Sequence, residues 1–134
     1  MAARLEFWFE FASTYSYLAA EEIEEKAKAV DVEVIWRPFL LGPIFAGQGW
    51  SDSPFNLYPA KGAYMWRDME RLCQRKGIAW RPPSVFPRSG LLAARVAAAL
   101  EGTDRLPPFA RAVYHANFAL DRDISDPAVL EEIL

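Results

Sequence analysis

Apolar and polar positions change period within the stretch from Leu5 to Leu18. Leu5, Phe7, Phe9 and Phe11 alternate with Glu6, Trp8 and Glu10, the two-residue period of a strand built from residue types that suit a pleated backbone. From Tyr15 the apolar positions Leu18, Ala19, Ile23, Ala27 and Val30 recur at intervals of three and four, which is one face of a helix. The other side of that helix carries Glu22/Lys26 and Glu24/Lys28, with glutamate first, the favourable order on a solvent face. Asp31 then turns the chain into a second strand, Val32 to Arg37, which Pro38 ends. Strand, helix and strand over residues 1–40 predict a parallel βαβ unit with a right-handed crossover.

Beyond Leu40 the pattern offers helices and Gly/Pro/Ser-punctuated loops, and no further strand. Residues 42–58 read as a long loop with a single helical turn near Ile44 to Ala46. Pro59 starts a helix and Gly77 stops it, with Met65, Met69, Leu72 and Cys73 as its apolar stripe. Ile78 to Pro87 is extended and proline-broken. Ser89 caps a helix running to Leu100, Pro107 or Pro108 opens another through Phe118, and Asp126-Pro127 opens a last one that reaches Leu134. Two parallel strands do not make a stable sheet by themselves. The expectation is therefore either strands from another chain or a longer protein, with residues 1–40 and 41–134 as an incomplete sheet half and an all-helical part.

Composition narrows the function classes. At 134 residues, 52% hydrophobic, the chain can bury a sizeable core and reads as globular. Fifteen basic against eighteen acidic residues give a net charge of −3 without a Lys/Arg stripe, which argues against nucleic acid and anionic membranes as partners. No apolar run approaches the roughly 20 residues of a membrane span. Glu6 and Glu10 interrupt any secretory h-region, and a single cysteine excludes an internal disulfide framework, so a cytoplasmic protein is expected. There is no metal-ligand cluster, phosphate-binding glycine loop or Ser/His/Asp set.

The candidate chemistry lies where the period changes. Ala12-Ser13-Thr14 forms a strand-to-helix turn that places the Ser13 hydroxyl beside unpaired amides at a helix N-terminus, a ready anion site. On spacing alone Ser13 serves equally as a simple helix cap. Glu10, three residues earlier, either orients the site, or acts as a base if buried, or faces solvent. His115, the single histidine, has no nearby partner in sequence and reads as a surface or structural residue; Cys73 reads as an inert core thiol.

Four motifs together resemble the thioredoxin-like proteins of the DsbA type, in the branch of the 2-hydroxychromene-2-carboxylate isomerases and kappa-class glutathione transferases. They are F-E-F-A-S-T-Y-S-Y-L at 9–18, R-P-F-L-L-G at 37–42, P-A-K-G-A-Y-M at 59–65 and F-P-R-S-G-L-L-A at 86–93. The branch usually shows Ser-Pro where this chain has Ser13-Thr14, and often Asn where it has Ser89. The resemblance implies an α/β fold: a thioredoxin-like βαβ unit with an all-α insertion. It also implies a second half of the thioredoxin fold, bearing a cis-proline strand, that this sequence does not include. Thioredoxin-like oxidoreductases carry C-x-x-C at this turn; Ser13 and Ser16 occupy those places and cannot cycle between thiol and disulfide.

What the resemblance further implies is a homodimeric enzyme that uses glutathione. Ser13 is its catalytic residue and holds the glutathione thiolate; Lys61 meets the glycyl carboxylate, and Asn56 also contacts glutathione. Beside these, Tyr15, Trp50 and Phe55 are candidates to wall the pocket of an aromatic substrate, Trp50 and Phe55 serving equally well as core residues that cover the sheet. The implied activity is isomerisation of 2-hydroxychromene-2-carboxylate or a related aryl unsaturated keto acid, as in aromatic degradation. Two other readings stand beside it, a kappa-like glutathione transferase and a non-catalytic thioredoxin-fold binding module.

Overall fold

A computed structural model describes residues 3–134. The chain begins with strand β1 (Ala3–Phe9), helix α1 (Thr14–Ala29) and strand β2 (Val32–Pro38). The strands pair in parallel, from Ala3 opposite Val32 to Phe9 opposite Pro38. Six helices follow: α2 (Leu41–Gly47), α3 (Pro54–Leu57), α4 (Pro59–Lys76), α5 (Leu91–Ala99), α6 (Leu106–Phe118) and α7 (Pro127–Ile133). No third strand occurs among the described residues, in line with the βαβ unit and helical insertion expected from sequence.

The anticipated elements form, with shifted limits that have local causes. β1 ends at Phe9 rather than Phe11 because the Glu10 carbonyl turns away to accept from Ser13 N at 3.1 Å. α2 covers seven residues where one turn was expected. α3 was not anticipated; its four residues give no periodic signal, and only the Ser53 cap and Pro54 mark it. α5 has Gly90, not Ser89, at its N-cap, although Ser89 Oγ accepts from Leu91 N at 3.4 Å. α4 runs from Pro59 as expected and stops at Gly77, whose φ of +67° is a left-handed conformation that glycine adopts without a Cβ clash.

The core lies where α1, α4 and α6 meet the end of the sheet. Phe9, Phe11 and Trp36 pack edge to face at 5.3–5.5 Å, and Tyr17, Tyr114, Phe118 and Trp80 form a stacked series. Of the expected α4 stripe Met65, Met69 and Cys73 are fully buried, and Leu72 is half-buried at its edge. Such aromatic pairs contribute about 0.5–1.5 kcal/mol each beyond area burial, so this cluster fixes α6 firmly beneath the start of α1. β1 is buried unevenly. Phe9 is 1% exposed, whereas Leu5 and Trp8 remain 46% and 57% exposed.

Candidate active site

The turn between β1 and α1 is built from Glu10 outward. Its backbone N–H approaches Ser16 Oγ at 3.4 Å, and its carboxylate accepts from Ala12 N at 2.8 Å and Leu41 N at 3.3 Å. Glu10 is therefore buried, resolving the choice the sequence left open, and its carboxylate ties the turn to the start of α2. Burial raises its pKa, against the lowering effect of the two amides that hold the charged form. Ser13 is the N-cap of α1 in extended geometry, φ −86° and ψ 123°, and its Oγ accepts from Ser16 N at 3.3 Å. With the oxygen engaged as an acceptor, the hydroxyl proton is free to point outward.

Ser13 opens on a cavity of about 820 Å³. One wall is the turn, Glu10 to Tyr15; a second is Leu40 to Trp50 around α2; a third is Asp52 to Phe55; and a fourth is Phe86 to Leu91. Phe45 and Trp50 stack at 5.6 Å on the second wall, and Phe55 meets Phe86 at 6.5 Å across the others. The charged groups of the lining are Glu10, Asp52 and Arg88. Arg88 is already paired, its Nη2 donating to Asp121 Oδ1 at 2.6 Å. The Thr14 hydroxyl is buried without a hydrogen-bond partner among the described residues.

Ser13, Tyr15, Trp50 and Phe55 thus meet on one cavity, whereas Asn56 and Lys61 do not line it and reach only its Phe86 and Phe55 walls. Tyr15 donates its hydroxyl to Asp68 Oδ2 at 2.6 Å on α4, and its ring lies 6.4 Å from that of Phe55. Lys61 is exposed, with its ammonium 5.8 Å from the Phe55 ring centre. Asn56 donates Nδ2 to the Phe86 carbonyl at 2.9 Å and to the Asp52 carboxylate, bracing two cavity walls. His115 is exposed on α6 and does not line the cavity. Cys73 is buried in the core, which pushes its thiol up to about 11.

Sequence reading missed Arg88, Tyr114 and Asn117. Arg88 stood in a motif already singled out, at 86–93, but nothing local marks its partner thirty-three residues away. Tyr114 and Asn117 sit on the apolar stripe of α6, where a polar residue at helical spacing was the available signal.

Residues 4–134 match the family described as DSBA-like thioredoxin domain. The chain belongs to this family. Among curated proteins it is 33% identical over 86 residues to glutathione S-transferase kappa 1 of Caenorhabditis elegans, covering 62% of this chain and 36% of that one. Among solved structures, a 2-hydroxychromene-2-carboxylate isomerase superposes with a TM-score of 0.75 at 19% identity, over 96% of this chain and 64% of the other. The chain therefore spans about a third of one relative and under two thirds of the other. The structural likeness concerns the fold: a DsbA-like βαβ unit with a helical insertion.

Proposed function

We propose that this chain forms the nucleophile-binding part of a glutathione-dependent enzyme that isomerises 2-hydroxychromene-2-carboxylate or a similar aryl unsaturated keto acid. The observation that carries the reading is the Ser13 hydroxyl, set at the N-terminus of a 16-residue helix and opening on a largely apolar cavity whose walls include Phe45, Trp50, Phe55 and Phe86. The residues fit a bound thiolate. Ser13 Oγ accepts from Ser16 N, so its proton is available to an anion, and the helix N-terminus adds about 0.3–1 kcal/mol of favourable field. Glutathione supplies a thiolate nucleophile that adds reversibly to a conjugated double bond and so permits rotation about it. The chain's own work is to hold that sulfur charged through Ser13, to orient the turn through Glu10, and to enclose an aromatic substrate between Trp50 and Phe55. Lys61, near the Phe55 wall, is proposed to meet a glutathione carboxylate, as a flexible point charge does well.

A kappa-like glutathione transferase is the second reading, supported by the curated relative and by the charge of the cavity. Glu10 and Asp52 line it, and Arg88 is spoken for by Asp121, so among the described residues no free lining cation awaits a substrate carboxylate. An uncharged electrophile suits such walls better. One assay separates the readings: the complete protein with substrate and a catalytic amount of glutathione. The isomerase reading expects many turnovers per glutathione, and Ser13→Ala lowering the rate roughly ten- to a hundredfold, the effect of losing a hydrogen bond to a charged group. One-for-one consumption of glutathione establishes the transferase instead, and equal rates for wild type and Ser13→Ala overturn both.

A further inference from the structure

Two side chains of α6 reach the main chain of the Ser13 turn from below. Asn117, 1% exposed, donates Nδ2 to the Phe11 carbonyl at 3.2 Å. Tyr114, fully buried, donates Oη to the Glu10 carbonyl at 3.0 Å and lies 2.5 Å from Ser16 Oγ. The Glu10 carbonyl also accepts from Ser13 N at 3.1 Å, and Ser16 is the residue whose N–H meets Ser13 Oγ. Tyr114 therefore holds the carbonyl that accepts from Ser13 N and the side chain of the residue whose N–H meets Ser13 Oγ, and Asn117 holds the carbonyl two residues before Ser13.

The orientation of the Asn117 amide is fixed chemically. A guanidinium only donates, so Arg88 Nη1, at 3.1 Å, selects Oδ1 and leaves Nδ2 for the Phe11 carbonyl. Arg88 is itself held by Asp121 Oδ1 and by Ser84 Oγ at 3.3 Å, and it lines the cavity. An unbroken series of polar contacts thus runs from the cavity wall through Arg88 and Asn117 to the backbone that carries Ser13. Packing does not explain these choices. The neighbouring buried α6 positions are Ala110, Val113, Ala116 and Phe118, and apolar residues would fill the core without partners. A buried polar side chain costs free energy unless it is satisfied, and here the satisfaction is spent on the turn.

We propose that Asn117 and Tyr114 are positioning residues that fix the Ser13 hydroxyl relative to the cavity, with Arg88 setting the Asn117 amide. The catalytic meaning of this rests on the reading of Ser13 as the thiolate-holding group; the mechanical claim does not. Amide hydrogen exchange on the free protein tests the mechanical claim. Asn117→Asp keeps the shape and the acceptor for Arg88 and removes the donor to Phe11. We expect exchange at the Ser13 and Ser16 amides to speed by about three- to tenfold, the loss of one hydrogen bond, relative to interior α6 amides such as Val113 and Ala116. Tyr114→Phe should show the same local pattern, and it carries the test by itself if Asn117→Asp does not fold. Equal acceleration in the turn and in α6, or none in the turn, overturns the proposal. With glutathione and substrate present, the same variants should lower kcat more than they raise KM. A wild-type protein that neither binds glutathione nor turns over would remove the functional reading, while the exchange result still decides the positioning role.

Discussion

The place of Ser13 in the backbone is what suits it to the task proposed for it. As an N-cap it already satisfies one amide of α1, and because it does so through its oxygen, its proton faces elsewhere. That role was legible in the sequence, since the change from a period of two to one of 3.6 marks the turn without any knowledge of the tertiary fold. Glu10 was not, because its burial depends on Leu41 N, which arrives from the far side of β2. Lys61 stands between these cases. A local motif names it, and the structure places it in the open near Phe55. An exposed ion pair contributes about 0.2–1 kcal/mol, so Lys61→Ala should weaken glutathione binding no more than about fivefold in calorimetric titration. An unchanged affinity would take Lys61 out of the site.

At the scale of elements, the cavity wall depends on a contact between α4 and the short helix before it, which leaves almost no sequence signal. α3 is four residues long, too short for periodicity, and its position is set by α4. A Cβ on Gly62 would lie 2.2 Å from the Phe55 carbonyl oxygen, a backbone atom with no side-chain freedom to yield. Helix propensity alone favours Gly62→Ala by about 1 kcal/mol. Overpacking against main chain costs about 1–3 kcal/mol or more, so the clash wins and the variant should be less stable in urea denaturation. Because Phe55 lines the cavity, the displaced α3 should also impair binding of an aromatic substrate. A Gly62→Ala protein as stable as wild type would show that α3 shifts freely. By contrast α4 itself, with Pro59, Gly77 and the Met65–Met69–Cys73 stripe, was readable in full, since a long amphipathic helix announces both its face and its ends.

The whole molecule is held by contacts between segments distant in sequence, and there the one-dimensional pattern says least. Alternation from Leu5 to Phe11 marks Leu5, Phe7, Phe9 and Phe11 as one face, yet only Phe9 at the end of β1 and Phe11 just beyond it are fully covered. Phe9 is covered by Trp36 and Phe11, and Phe11 in turn by Phe109 and Tyr114 of α6, about a hundred residues on. The loop before α5 is fastened to the end of α6 by Arg88, Ser84 and Asp121, and this clip makes stability depend on acid. Ser84 N–H and then the Arg88 guanidinium hold the Asp121 carboxyl at about 2, below its ordinary 3.8. The folded state therefore releases this proton more readily than the unfolded chain does. Its stabilisation is complete above the unfolded value and is lost as pH falls through the folded one, in the window from about 4 to about 2. Glu22 and Asp123 are lowered too and act with the same sign, whereas Glu10 is raised, and its contribution changes above 4.5, outside this window. Asp121→Asn keeps an acceptor for Ser84 and removes the titrating charge. Its denaturation midpoint, measured from pH 5 to pH 2, should fall less steeply than that of wild type, with the two curves converging near pH 2. Identical slopes would mean that the clip does not couple the loop to the fold.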